Sequence, residues 1–487
     1  MKIKQIMRVI MFAMVAMAAC AAQIDSTQDA NASGQQPTTA PAPAYGQDTT
    51  PPANVDNPPI SGLDQPSFEP SVLNRSFLIP GAHISQAIDT NVSGSTGNTA
   101  INGVTRVLGS LALQKLWSHF DSSLDYVGGG SFYSNQSVGA TQVHTLDADE
   151  RLLWRTGQLS LRDSFSYLPE GSFGFGSYGG AGALGGIGGI NGLGGTGVGG
   201  LGIGSIGGSN FFGPGQFASL GQEPRITNTA LADITESLSP RTSVTLAGSY
   251  GLVHFNSNNT GLINSRQVAA QAGYNYQFNR SNQVALVYGY QNFRYPNVLA
   301  GNFQTHLVNV LFGHRISGRM DLVFGGGPQV TEIHSPVTGN NNRISGSGRA
   351  SLRYRFKVWS TSLTYSRYNS SGSGLFAGAT SDLVRVTASR SIGRLWDLST
   401  DVGYSHSERI LPTVVNVPGS TYSYWYAGGS LHRQFGRDFD GYVSYQFNRL
   451  GFDQTVCTVG ITNCSSNSQR HVLLIGFDWH PRPIRLD

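Results

Sequence analysis

The sequence predicts an all-β fold, a transmembrane antiparallel up-and-down β-barrel of about 18 strands, with 16 as the alternative count. Three observations predict it: polar and apolar residues alternate along many segments, short and long connections alternate between those segments, and the chain begins with an export signal. Only 12% of the 487 residues are charged, while 63 are glycine and 20 are tyrosine. This composition suits many strands and turns with a polar but weakly charged surface.

The alternation is clearest in RISGSGRASLRYRF, residues 343–356. Its odd positions carry four arginines and three serines, and its even positions carry glycine and apolar residues. Successive side chains of a strand point to opposite faces, so one face of this strand is polar and cationic and the other is apolar. An arginine at the middle of a lipid bilayer costs roughly 2–4 kcal/mol, so the arginine face is predicted to line an aqueous lumen.

Eighteen segments repeat this pattern between turn signals. The predicted strands are 81–93, 103–117, 119–133, 141–154, 157–168, 225–238, 241–255, 265–278, 281–294, 303–315, 319–333, 343–357, 359–369, 380–392, 395–408, 421–435, 438–450 and 470–480. In 265–278, for example, the even positions from Val268 to Phe278 are apolar or aromatic, while the odd positions include three glutamines or asparagines before Gln277. Each segment is therefore long enough and sufficiently two-sided to cross a bilayer as a strand.

The connections between these segments differ in length according to their position. Short ones such as SPRT, FNRSN and ISGRM alternate with longer ones such as NSNNTGLINS, SPVTGNNN and SSGSGLFAGA. Outer-membrane barrels have short periplasmic turns, long external loops and an even number of strands, with both termini in the periplasm. A soluble sandwich would not be expected to keep this parity, so the pattern favours the membrane barrel.

The amino terminus reads as a secretory signal peptide over residues 1–21. A basic segment, MKIKQIMR, precedes the eleven apolar residues VIMFAMVAMAA. Met17-Ala18-Ala19-Cys20 looks like a bacterial lipoprotein box, whereas Ala16-Met17-Ala18 or Ala19-Cys20-Ala21 suits an ordinary signal peptidase. Lipidation of Cys20 and its simple removal or retention are both open, and in either case the chain is exported to the periplasm.

The rest of the chain divides by composition. Residues 22–78 are rich in Pro, Thr, Gln and Ala and predict a disordered periplasmic tether, because they contain too little apolar surface to compensate for ordering. Residues 79–480 form the predicted barrel, and 481–487 a short tail. Cys457 and Cys464, six residues apart in an exported chain, are expected to form a disulfide.

A glycine-rich loop, residues 169–224, interrupts the barrel between the fifth and sixth predicted strands. Its central part, 171–222, contains no charged residue. A connection this long is usually functional or disordered. Three interpretations are open: a plug or constriction folded into the pore, an external interaction loop, and a merely flexible segment.

The last predicted strand presents Leu473, Ile475, Phe477 and Trp479 on one face. With this strand and the loop parity, the chain resembles the porin-like single-chain outer-membrane barrels of bacteria over roughly residues 80–480. The resemblance implies residence in the bacterial outer membrane, contact with its lipids, and recognition of the last strand by the barrel-assembly machinery. It is compatible with a homo-oligomer. The sequence departs from the pattern in one respect, because PRPIRLD follows the terminal aromatic residue.

Charged residues on the inward parity define the predicted pore lining. They are Arg343, Arg349, Arg353, Arg355, Arg385, Asp121, Asp125, Asp147 and Asp149. The third and twelfth strands are nine apart, half of eighteen, so acidic and basic walls would face each other and produce a transverse field. The alternative is local neutralisation of the arginines by acids on nearby strands, such as Asp397 and Asp401.

These features predict a channel for passive diffusion of small polar solutes. One alternative is a saccharide-specific uptake or export pore, at which inward Tyr424, Tyr426 and Tyr442 hint. Another is a non-conducting structural or adhesive barrel plugged by its glycine-rich loop. The sequence has no Gly-x-Ser-x-Gly elbow, no phosphate loop and no zinc spacing among its 11 histidines, so no enzyme, metal or cofactor is predicted. The net charge of +4 is too small and dispersed to indicate nucleic acid.

Overall fold

The structure is a computed structural model of the chain. It describes residues 60–61, 76–92, 101–134, 140–168, 224–256, 262–296, 301–336, 339–356, 359–372, 374, 376–393, 395–411, 420–456 and 465–486. These residues belong to one unit, Pro43–Asp487. The described part of the chain contains no apolar helix of the length that a membrane crossing requires.

The regular secondary structure of the described residues consists of strands. They are β1 Phe77–Asp89, β2 Asn102–Leu116, β3 Phe120–Tyr133, β4 Ala140–Trp154, β5 Gly157–Leu168, β6 Arg225–Ser239, β7 Thr242–Phe255, β8 Ser265–Asn279, β9 Asn282–Arg294, β10 Asn302–Ser317, β11 Met320–Ser335, β12 Gly339–Arg355, β13 Trp359–Ser370, β14 Ala379–Ile392, β15 Trp396–Arg409, β16 Thr421–Gln434, β17 Phe439–Val456, β18 Ser465–Trp479 and β19 Ile484–Arg485.

Each strand from β1 to β17 pairs antiparallel with the next, and β18 pairs antiparallel with β1. The sheet is therefore a closed barrel of 18 strands, which confirms the predicted fold class and strand count. The two-residue strand β19 lies beyond β18 on the same edge of β1, pairing Ile484 with Leu78 and Arg485 with Phe77. The segment predicted as a short tail thus prolongs the closing ladder.

Several strands extend further than the sequence predicts. β12 begins at Gly339 instead of 343, and β18 begins at Ser465 instead of 470. The added residues are mostly Asn, Gly and Ser, which are typical of turns and which the pairing of each strand with its neighbour holds in the extended conformation. The connection after β11 consequently covers only residues 336–338, shorter than the predicted SPVTGNNN.

The outer surface of the barrel is apolar. Ile84, Val310 and Phe477 are 53%, 54% and 55% exposed, although each lies within a regular strand. Large exposed aromatic residues flank the periplasmic turns: Phe278, Phe356, Trp359, Phe435, Phe439 and Trp479. An apolar band with interfacial aromatic residues is the surface of a bacterial outer-membrane barrel, so the predicted localisation is confirmed.

Arg433 shows how an outward cation is accommodated at the edge of this band. Its guanidinium carbon lies 4.9 Å from the ring centre of Trp396 and 5.1 Å from that of Phe435. Because Arg433 is next to the periplasmic end of β16, its head group can reach water while its stem covers apolar surface.

The seam between β1 and β18 carries two polar clusters on its inward face. Arg470 Nε donates to Asp89 Oδ1 over 2.9 Å, and both residues are almost fully buried. Nearer the periplasm, His83 Nδ1 lies 2.8 Å from Asp478 Oδ1, and His83 Nε2 lies 2.7 Å from Ser110 Oγ. The contacts of Arg470 with Asp89 and of His83 with Asp478 join the first and last strands of the barrel through side chains as well as through the backbone ladder, and Ser110 belongs to β2.

At the external rim of the barrel, the end of β13 overlaps the inner face of the neighbouring strands β10 and β11. β12 pairs with β13 only from Gly348 to Arg355, although its pairing with β11 extends outward to Gly339. The tip of β13 leaves this ladder, and Asn369 Nδ2 donates to Thr305 Oγ1 and Thr331 Oγ1, each over 3.0 Å. Both threonines have the inward parity of β10 and β11, so the tip of β13 lies inside the neighbouring wall.

Candidate functional site: the lumen

The inward face of the barrel is polar, as expected for a lumen. It is rich in Ser, Thr, Asn and Gln, including Ser85, Ser110, Thr229, Thr245, Gln271, Asn275, Gln291, Thr305, Gln329 and Ser366. All of these side chains are buried and alternate along their strands with exposed or half-buried outward residues. The interior and exterior therefore follow the strand period of two.

The five predicted pore-lining arginines lie on the inward parity but have different surroundings. Arg385 is buried and donates hydrogen bonds to the Asp401 carboxylate from Nε and Nη2, with Nη2 2.7 Å from Oδ2. Arg343 lies at the overlapped rim, where its Nη2 donates to Glu408 Oε2 over 3.1 Å. For these two arginines the structure shows local pairing, the alternative that the sequence analysis left open.

Arg353 and Arg355 lie near the periplasmic end of β12. Arg353 is half-buried and is directly opposite Asp321 on β11, and Arg355 is exposed. These two cations are thus accessible to water in the lumen, which makes them the predicted arginines best placed to act on a passing ion. Arg349 lies four residues before Arg353 on the same face of β12 and donates through Nη2 to the backbone carbonyl of Ile60.

The acidic wall is formed by β3 and β4, which lie nine and eight strands from β12 in the closed order. Asp125 and Asp147 lie directly opposite each other, and both are half-buried. Asp149 accepts from Arg151 Nη2 over 2.8 Å, and Asp121 is in register with the same arginine. Sequence reasoning missed Arg151, although its inward parity in β4 was readable.

A second missed cation joins this wall from β5. Arg162 Nε lies 3.8 Å from Asp149 Oδ2, and its Nη2 lies 3.9 Å from Asp233 Oδ1 on β6. The ion pairs of Arg151 and Arg162 involve Asp149 and Asp233, whereas Asp125 and Asp147 face each other across the β3–β4 ladder.

The connection between β13 and β14 folds into the external mouth. Phe376 and Ala377 are fully buried, Phe376 against Tyr422 of β16 and Ala377 in a cluster with Phe293 and Phe303 of the β9–β10 wall. Ile263 N donates to Gly374 O over 2.8 Å, which ties the same connection to the start of β8. This segment, predicted as an ordinary long loop, narrows the mouth.

The three inward tyrosines are packed into the wall. Tyr424 and Tyr426 are each 1% exposed, and their rings stack with centres 5.7 Å apart. Tyr426 lies over Gly403, its direct partner on β15, and Tyr442 lies over Gly476, its direct partner on β18. A Cβ at Gly403 or Gly476 would collide with the ring of Tyr426 or Tyr442, respectively, and all three tyrosine rings are buried instead of presenting open faces.

Gly476→Ala is expected to destabilise the barrel by about 1–3 kcal/mol, the usual effect of adding a methyl group to a filled site. The added Cβ would meet the ring of Tyr442, which is held from the other side by His432, stacked at 5.3 Å. Urea unfolding in lipid vesicles measures the change. Gly109→Ala, with only one backbone atom within 4.0 Å, is the control and should unfold like the parent. Equal midpoints for all three proteins would contradict this packing.

Two residues of the predicted tether lie inside the barrel. Ile60 and Ser61 are both 0% exposed and contact inward side chains of β7 to β12. Nothing in the Pro-rich composition around them signals this position.

Other predicted features fall outside the described residues: the signal peptide, Cys20, the disulfide partners Cys457 and Cys464, and residues 169–223 of the glycine-rich loop. These stay predictions. Within the described strands and turns, no group of three or more His, Cys, Asp or Glu side chains is arranged to hold a metal ion.

No protein-family profile matches the sequence, and no curated protein matches it. Among solved structures, the chain is similar to the outer membrane protein OpdK from Pseudomonas aeruginosa, with 12% identity, a TM-score of 0.41, and coverage of 84% of this chain and 100% of that chain. It is similar to OccAB3 of Acinetobacter baumannii, at 9% identity and a TM-score of 0.39, covering 84% of this chain and 100% of that one. It is also similar to the ferric-catecholate import receptor Fiu from E. coli K12, at 8% identity and a TM-score of 0.39, covering 82% and 81%.

Proposed function

We propose that the protein is an outer-membrane channel through which small polar solutes diffuse passively. One observation carries this proposal: the barrel combines an apolar exterior with a polar lumen that has accessible charged groups on two opposite walls. Asp125 and Asp147 lie on one wall, and Arg353 and Arg355 lie on the other. Opposed charges in a low-dielectric enclosure orient polar solutes and bias the passage of ions.

The alternative of a saccharide-specific pore has less support. A stacking path for sugar rings needs open aromatic faces, whereas Tyr424, Tyr426 and Tyr442 are buried against the wall. The alternative of a non-conducting barrel closed by the glycine-rich loop stays a prediction. The absence of catalysis likewise remains a prediction from the sequence.

Ion selectivity in a planar bilayer tests the proposal, with the reversal potential measured in a salt gradient for the full chain and for a variant lacking residues 22–75. Replacing Arg353 and Arg355 with Gln is expected to shift the preference towards cations, and replacing Asp125 and Asp147 with Asn towards anions, because each pair removes one sign of accessible charge. Discrete conductance steps should accompany both shifts.

Arg433→Gln is the matched control, since it removes an arginine at the same end of the barrel but on the outward face. It should leave the reversal potential unchanged. Folding of the full chain and of the shortened variant is checked by heat-modifiable migration on a gel. If neither folded protein conducts ions, the channel is refuted.

A further inference from the structure

Side chains of the lumen wall hold the dipeptide Ile60-Ser61. They form hydrogen bonds with three of its backbone groups: Ile60 O, Ser61 N and Ser61 O. Ser61 N donates to Asn275 Oδ1 over 3.1 Å, and Gln271 Nε2 donates to Ser61 O over 2.5 Å. The Ile60 carbonyl accepts from Arg349 Nη2. Buried backbone groups need such partners, and here side chains of two separate strands supply them.

The side chains of the dipeptide are matched as well. Ser61 Oγ accepts from Asn275 Nδ2 over 2.5 Å and lies 2.5 Å from Thr245 Oγ1. Ile60 packs in an apolar cluster with Ala285, Val287 and Leu311 on the inward face of β9 and β10. Polar side chains of the wall therefore surround Ser61, and apolar side chains surround Ile60.

The backbone of β8 is shaped for this contact. Gln271, Gly273 and Asn275 are successive inward residues, and a Cβ at Gly273 would collide with the side chain of Ser61. A glycine inside a strand weakens the strand and often marks a place where another chain approaches closely. Gly273 therefore indicates a built site.

We propose that Thr245, Gln271, Gly273, Asn275 and Arg349, with the apolar cluster around Ile60, form a peptide-binding site inside the lumen, hereafter the Ile-Ser site. Its resident ligand is the chain's own Ile60-Ser61 dipeptide, and its ligand class is a peptide with a branched aliphatic residue followed by a small hydroxyl residue. Occupancy obstructs the bore, a consequence that rests on the proposed channel function.

The site lies in the periplasmic half of the lumen, since Thr245 is three residues from the start of β7 and Asn275 four residues from the end of β8. Arg349, predicted from the sequence as pore lining, acts here as a donor to the ligand. The two periplasmic arginines Arg353 and Arg355 follow it along the same face of β12. A segment docked at Arg349 therefore lies along the path of any ion that these arginines attract.

Thiol protection tests the site without requiring conduction. Ile60→Cys is made in the full chain with Cys20, Cys457 and Cys464 replaced by Ser, and its reaction with a water-soluble maleimide is timed in lipid vesicles. A cysteine is a small apolar side chain and leaves the backbone contacts of the dipeptide in place. The introduced thiol is expected to react slowly, and about tenfold or more faster when Gly273→Ala or Gln271→Ala is added, because each change removes contacts that hold the segment.

Two controls match these variants. Gln267→Ala removes the same side chain from the same face of β8, four residues from Gln271, and Gly248→Ala adds the same methyl group where its nearest neighbour is 3.9 Å away. Neither should speed the reaction. Equal rates in all proteins, folded as judged on a gel, would overturn the Ile-Ser site.

Single-channel recording then tests obstruction. Gly273→Ala should open more often or in larger steps than the parent, and adding the free peptide NPPISGLDQ, residues 57–65, to a variant lacking residues 22–75 should restore the block. Faster labelling with unchanged openings would overturn obstruction. Faster labelling with no conduction by any variant would leave the site established and refute the channel.

Discussion

An Arg470→Met variant is expected to lose about 3–5 kcal/mol of the free energy of unfolding. The substitution leaves the Asp89 carboxylate buried at the seam between the first and last strands without the cation that it meets through Nε at 2.9 Å. Both side chains are under 5% exposed, so water does not readily replace the lost partner. The loss should appear as a lower midpoint in urea and as a barrel that denatures at lower temperature on a gel.

Arg151→Met is the matched control. It makes the same substitution in an inward ion pair, but Arg151 is 36% exposed, and its partner Asp149 has Arg162 as a second cation at 3.8 Å. A partly exposed pair of this kind contributes about 1 kcal/mol or less. Similar losses for the two variants would show that the seam is no more sensitive than the rest of the lumen.

Val310→Arg is expected to destabilise the barrel by about 2–4 kcal/mol, the penalty for a lipid-facing arginine at the middle of the bilayer. Val310 is 54% exposed near the middle of β10, so its exposure in water becomes contact with lipid tails in the membrane. The penalty should be measured as the change in unfolding free energy in vesicles, where the bilayer is present.

The adjacent residue provides the comparison. Asn309 faces inward and accepts a hydrogen bond from Ser347 Oγ over 2.7 Å, so Asn309→Arg places the same charge at the same height on the lumen side. Its cost should be limited to about 1 kcal/mol for that hydrogen bond. An outward arginine tolerated as well as the inward one would contradict a membrane-facing exterior.

Most of the strands could be predicted because their signal is local. In β12 four arginines share one parity over thirteen residues, 343 to 355, and the energetic penalty for turning them to lipid determines the face without any knowledge of neighbours. Arg343 shows the limit of this reasoning. Its parity was right, but its partner Glu408 depends on how the rim overlaps, which alternation along one strand does not encode.

Contacts between distant strands could not be predicted for a related reason. The pairing of Tyr426 with Gly403 depends on the register across a long external connection, and a shift of one residue would put them on different faces. Long loops leave that register undetermined, so the sequence could not show that Tyr426 and Tyr442, which resemble part of a sugar path, are packed over glycines. Ile60 was missed because composition averages over a segment, whereas one apolar side chain is enough to fill a pocket.

The closing seam also has a consequence for the order of events in folding. Apart from the β1 pairings with β18 and β19, every ladder joins strands that are neighbours in sequence, whereas His83 and Asp478 are 395 residues apart. Pairings between remote residues form slowly, so the hairpins should assemble first and the two free edges should meet last. Because β19 continues this last ladder beyond β18, the complete ladder can close only after Ile484 and Arg485 have reached the edge of β1. Substitutions at Asp89 or Arg470 should therefore slow the final phase of folding and leave the earlier phases unchanged.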